Sequence, residues 1–123
     1  MARTMLLAGA TAAAALVGAL VLALPGQAAT PRLVATVGPN DSIALRTAAG
    51  APVRALRAGV YTVTVRDRSD EHNFRITGPG VRKATGVGST GTVTWKVRLA
   101  RGTVYRFVCD PHSDDMRGSF RVR

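Results

Sequence analysis

The chain has 123 residues and a formal charge of +10, which allows one domain and hardly more. Its single cysteine, Cys109, excludes an internal disulfide, so that thiol is paired between chains, free, or bound to something. Aromatic residues make up only 5% of the chain and no nucleic-acid motif is present, which argues against the nucleic-acid partner that such basicity usually invites.

A short basic start, Met1 to Met5, leads into an apolar run from Leu6 to Leu24 interrupted only by Thr11. Pro25 ends the run, and Gly26-Gln27-Ala28 offers small residues at a cut site. This is the pattern of a secretory signal peptide covering residues 1–28, cut after Ala28, with Ala29 as the neighbouring choice. The alternative is an uncleaved N-terminal membrane anchor, since the run approaches the ~20 residues needed to span a bilayer. Either way the chain is expected outside the cytoplasm, secreted or held at the cell envelope. The remaining residues, 29–123, make one domain of about 95 residues, enough for one core.

That domain reads as short strands parted by turns. Leu33 to Val37 comes first, then Ser42 to Arg46, Val53 to Leu56 and the clearly alternating Val60 to Arg66. His72 to Thr77 follows, then a Gly-rich stretch from Gly78 to Gly91, expected as loop. Thr92 to Leu99, Thr103 to Cys109 and Met116 to Val122 complete the series. Short alternating runs between Gly and Pro turns predict an all-β Greek-key sandwich or barrel. No long segment of the exported part has a helical apolar period.

Strand side chains swap faces at every step, so the alternation assigns an inward set. It includes Val93, Trp95, Val97 and Leu99 in one strand, His72, Phe74 and Ile76 in another, and Tyr105, Phe107 and Cys109 in a third. Met116, Gly118, Phe120 and Val122 share the inner face of the last. His72, Cys109 and Met116 are thus expected at strand ends, and His112 in the loop between the last two strands.

Beyond the leader the chain holds two His, one Cys and one Met, and all four belong to this constellation. Taken singly, each has a plainer role: a hydrogen-bonded core histidine, a small buried thiol, a core-filling methionine. Their joint spacing, Cys109-x-x-His112-x-x-x-Met116 with His72 upstream, is what suggests a metal site. Two imidazoles, a thiolate and a weak axial thioether suit copper cycling between two oxidation states. Zinc is the rival ion, although a structural zinc site prefers four firm ligands. A catalytic Cys–His pair is a further alternative, which needs a cleft and an orienting third group.

Tyr105-x-Phe107-x-Cys109-Asp110-Pro111-His112 followed by Met116-x-Gly118 resembles the C-terminal ligand loop of the cupredoxins, close to plastocyanin and its bacterial relatives. His72-Asn73-Phe74 resembles the segment that carries their first histidine, and the likeness runs from about Gly59 to Val122. The resemblance implies a Greek-key sandwich holding one type-1 copper ion through His72, Cys109, His112 and Met116. It also implies that Asn73 ties the His72 segment to the Cys109 loop. The His112–Met116 spacing is shorter than in plant plastocyanins and longer than in amicyanins, and the family's acidic patch is missing.

The functional expectation is a non-enzymatic electron carrier, acting as a monomer, with His112 as the electron port. The alternative is a copper-binding protein for storage, delivery or detoxification. The basic charge suggests an acidic redox partner or an anionic membrane or cell-wall surface. Arg75, Arg82, Lys83 and Arg117 are expected to surround the port, with Gly78, Pro79, Val81 and Pro111 as apolar contacts at its centre.

Overall fold

The computed structural model describes residues 9–10, 12–15, 18–19 and 29–123. The cut site after Ala28 and most of the expected leader lie outside the described residues. Among the described residues no helix is long and apolar enough to cross a membrane.

Among the described residues nine strands follow in order: β1 (Arg32–Val37), β2 (Ile43–Thr47), β3 (Ala55–Leu56), β4 (Gly59–Asp67), β5 (Arg75–Gly78), β6 (Val81–Ala84), β7 (Gly91–Leu99), β8 (Thr103–Val108) and β9 (Arg117–Val122). They form a four-stranded sheet ordered β2-β1-β4-β7 and a five-stranded sheet ordered β3-β9-β8-β5-β6. The β1–β4 and β3–β9 pairs are parallel and the others antiparallel.

The alternation that marks these strands in the sequence also builds the core. Leu33, Ala35 and Val37 from β1 and Tyr61, Val63 and Val65 from β4 meet Ile76, Tyr105, Phe107, Phe120 and Val122 from the other sheet, all buried. Phe74 stacks on Phe107 with centroids 5.6 Å apart, and Tyr105 stacks on Phe120 at the same separation. Two of these rings lie directly over glycines. A Cβ at Gly118 would stand 2.3 Å from Phe107 Cζ, and one at Gly78 would stand 2.2 Å from Tyr105 Cδ1. The absent side chains make room for the aromatic ones.

Three expectations from the sequence need correcting. The Gly-rich stretch is not all loop, because β6 forms within it as a hairpin with β5. Pro79-Gly80 is the two-residue turn, with Gly80 at φ +72°, which an L side chain adopts only under strain. Val93 is 42% exposed despite its register with Val97 and Leu99. Next to it β6 has ended, and the Thr85–Thr90 connection leaves a groove of about 240 Å³ beside Val93 and Trp95. Finally, residues 72–74 are not strand. The Asn73 amide donates to Cys109 Sγ (3.5 Å) and the Phe74 amide to Thr85 Oγ1 (2.8 Å), so side chains take the place of a neighbouring strand.

Candidate metal centre

The strand registers bring one end of the sandwich together from four connections. The β1–β2 turn, the β4–β5 connection, the β6–β7 loop and the β8–β9 loop all open at the end where Val37, Asp67, Arg75, Val108 and Arg117 lie. His72 comes from the second of these, and Cys109, His112 and Met116 from the last. Non-local pairing thus brings His72 to residues 37 and 40 positions away.

Three donor atoms converge there. His72 Nδ1 and His112 Nδ1 are 3.0 Å apart, and Cys109 Sγ is 3.6 Å from the first and 3.7 Å from the second. Ligands about 2.0–2.3 Å from one ion must lie about 3–4 Å from each other, and these three do. The rings meet edge to face, with centroids 4.6 Å apart. His72, Cys109 and Met116 are buried, and only His112 is partly exposed. A soft, shielded sulfur between two imidazoles fits a type-1 copper centre.

The ligand loop is fixed by its own backbone. A short 3-10 turn, Asp110–His112, starts with Pro111 near its N-terminus, where a missing N–H costs nothing. The His112 amide donates to the Cys109 carbonyl (3.1 Å) and the Met116 amide to the His112 carbonyl (2.8 Å). The Cys109 amide donates to the Met116 carbonyl (2.9 Å), which closes the loop and sets Met116 beside Cys109.

A second set of bonds ties this loop to the His72 segment. Asn73 Oδ1 accepts from the Asp110 amide (2.7 Å), while Asn73 Nδ2 donates to Asp110 Oδ2 (2.8 Å) and the Thr85 carbonyl (3.2 Å). Arg75 grips the same Asp110 carboxylate through Nε and Nη2, each at 2.8 Å. The Arg75 guanidinium, helped by Asn73 and opposed by partial desolvation, holds the Asp110 carboxyl below the usual carboxylate range. Asp110 in turn raises the Arg75 pKa. Thr85 Oγ1 donates to Asp67 Oδ2 (3.0 Å), anchoring the connection to the end of β4. The far nitrogen of His72, Nε2, lies 3.2 Å from Asp41 Oδ1, an orienting contact of the kind that fixes a ligand imidazole.

The resemblance pointed to Asn73. Asp41, Asp67 and Thr85 had no signal in the sequence, because each is an ordinary turn or strand-end residue until the fold brings it here. The expected ring of basic and apolar residues around His112 is corrected by the topology. Gly78, Pro79 and Val81 sit at the far end of the β5–β6 hairpin, where the Tyr105 hydroxyl donates to the Pro79 carbonyl (2.7 Å). Arg82 pairs with Thr77 and Lys83 with Ile76 on the edge strand β6, while Arg75 stays at the loop but is held by Asp110. Arg117 and Pro111 remain near the loop.

No protein-family model and no curated protein matches this sequence. Solved structures match at the level of the fold. One is reduced rusticyanin, at a TM-score of 0.54 and 21% identity over 75% of this chain and 78% of that one. Another is rusticyanin from Thiobacillus ferrooxidans, at 0.51 and 19% over 75% and 76%. A further structure, of the copper protein rusticyanin, gives 0.53 and 19% over the same shares. The chain has the cupredoxin fold. Within a cupredoxin sandwich the donor cluster stands at the loop-rich end, where the β8–β9 connection carries Cys109, His112 and Met116 and the β4–β5 connection carries His72.

Proposed function

We propose that this chain is an exported type-1 copper protein that carries single electrons between redox partners. The observation that supports it most directly is the buried Cys109 sulfur set between two Nδ1 atoms, with one of those imidazoles, His112, reaching the surface. Copper bound there would alternate between its two oxidation states, the thiolate favouring the reduced ion and the imidazoles serving both. His72, Cys109 and His112 would hold the ion, and Met116 would cap it weakly from the buried side. The closed Cys109–Met116 loop and the Asn73–Asp110–Arg75 bonds keep these donors in one geometry. Little then has to move when charge arrives or leaves, which favours a carrier over a protein that releases its ion. The partly exposed His112 ring is the shortest way out to a partner docked over Pro111 and Ser113.

The decisive experiment is addition of cupric ion to the purified protein. An intense blue colour with a narrow copper hyperfine splitting in EPR is expected. A pale, ordinary tetragonal copper spectrum would overturn the assignment.

Met116 is expected to tune the site more than to hold it. Met116→Leu keeps a side chain of similar volume and removes the thioether, so the blue band should persist while the reduction potential rises. Voltammetry that finds the same potential and spectrum in both proteins would show that Met116 sulfur is not the axial group.

Export is part of the proposal and rests on the N-terminal residues. Intact-mass measurement of the protein secreted by a bacterial host should place its N-terminus at Ala29. Material that begins at Met1 or Ala2 and fractionates with membranes would establish the uncleaved anchor instead.

A further inference from the structure

Basic residues are in excess overall, but the fold gathers the acidic side chains at one end and leaves the other end with arginines alone. All seven acidic residues lie at the end that carries the donor cluster. Asp41 is in the β1–β2 turn, Asp67 ends β4, and Asp70 and Glu71 precede His72. Asp110, Asp114 and Asp115 are in the ligand loop itself. At the opposite end, about 30 Å away along the nine-residue β4, the strand registers place Arg32, Arg54, Arg57, Arg101, Arg121 and Arg123. All six are exposed, and among the described residues none is paired with a carboxylate. Arg57, Arg101 and Arg123 line one open groove with Leu56 and Tyr61.

From this sorting we infer that the arginine end of the sandwich docks on an anionic lipid surface and holds the donor-cluster end away from it. Charge complementarity supplies the first argument. A cluster of guanidiniums with no Asp or Glu side chain beside it among the described residues can meet a plane of phosphates directly. The second argument is where the N-terminus enters. Ala29 to Pro31 lead into Arg32 at this same end, with the Pro31 carbonyl accepting from the Thr62 amide at 3.0 Å. The apolar run from Leu6 to Leu24 therefore joins the body at its basic end. A chain still joined to that run would have this end nearest the headgroups. The inference does not depend on which ion the donor cluster holds.

Each basic side chain close to an anionic surface contributes about a fivefold gain in partitioning. The triple variant Arg57→Gln, Arg101→Gln, Arg123→Gln should therefore bind about a hundredfold more weakly than wild type to phosphatidylglycerol–phosphatidylcholine vesicles in a sedimentation assay. A second triple, Arg82→Gln, Lys83→Gln, Arg106→Gln, removes the same charge from exposed positions on β6 and β8, away from the arginine end, and should lose no more than a few-fold. Near-UV circular dichroism checks that both remain folded. Binding of wild type should vanish on pure phosphatidylcholine and weaken as salt shortens the screening length. Equal losses in the two triples would overturn the proposal in favour of bulk charge alone. Wild-type binding to phosphatidylcholine vesicles as strong as to the anionic ones would overturn it in favour of the apolar run. Tight binding to a dissolved anionic wall polymer with none to vesicles would overturn the lipid assignment.

Discussion

Replacing Cys109 by Ser is expected to abolish the blue absorption and narrow EPR splitting of the copper-loaded protein. The intense band needs a thiolate bonded to the ion, and this sulfur faces both Nδ1 atoms, at 3.6 and 3.7 Å. Serine is smaller and, as a hydroxyl, a hard neutral donor, so cupric ion would retain two imidazoles and lose the soft ligand that suits its reduced state. The substitution should leave the fold intact, because the Cys109 amide and carbonyl bonds to Met116 and His112 belong to the backbone. His72→Ala should act differently. It removes a firm nitrogen donor from the buried side and is expected to weaken copper binding by more than the roughly 10–100-fold that loss of an outer orienting partner costs. Titration followed by visible absorption and EPR checks both. A blue Cys109→Ser protein, or a His72→Ala protein with wild-type affinity, would place the ion elsewhere.

Phe74→Ala should be the most destabilising single change next to the site, by about 3–5 kcal/mol. Phe74 is wholly buried, stacks on Phe107 and leans on Trp95 with centroids 6.4 Å apart. Removing the ring leaves a void that the stacked Phe107 cannot fill, because Phe107 is itself held over Gly118. A loss of that size is a large share of the roughly 5–15 kcal/mol that such a domain has. It should appear as a lower urea midpoint of the metal-free protein with an unchanged slope. Phe74 also carries the backbone between His72 and β5, so the variant should take up copper more weakly even where it is folded. A midpoint shift equivalent to less than about 1 kcal/mol would mean that the Phe74–Phe107 stack does not support this end of the core.

Much of this protein is legible residue by residue. Alternation fixed the inward faces of β8 and β9, since a strand with one buried side repeats every second residue whatever it pairs with. The ligand loop was equally legible: Cys109, His112 and Met116 lie within eight residues, and their spacing is set by a local turn. His72 could be proposed only by elimination and resemblance.

What the sequence could not decide depends on groups that meet from distant parts of the chain. The Asn73, Asp110 and Arg75 bonds link positions 35 to 37 residues apart, and Thr85 reaches Asp67 and Phe74 from a loop that carries no pattern of its own. Those side-chain bonds take residues 72–74 out of a strand that their alternation predicted, because alternation records facing and says nothing about hydrogen-bond partners. The Pro79-Gly80 turn turned an expected loop into a hairpin and carried Gly78, Pro79 and Val81 away from His112. Net charge was readable at once, but its division into an acidic donor-cluster end and a bare arginine end follows from strand direction and order. Only the tertiary structure decides those, because a charge has no local pattern that tells which end of a sandwich it will occupy.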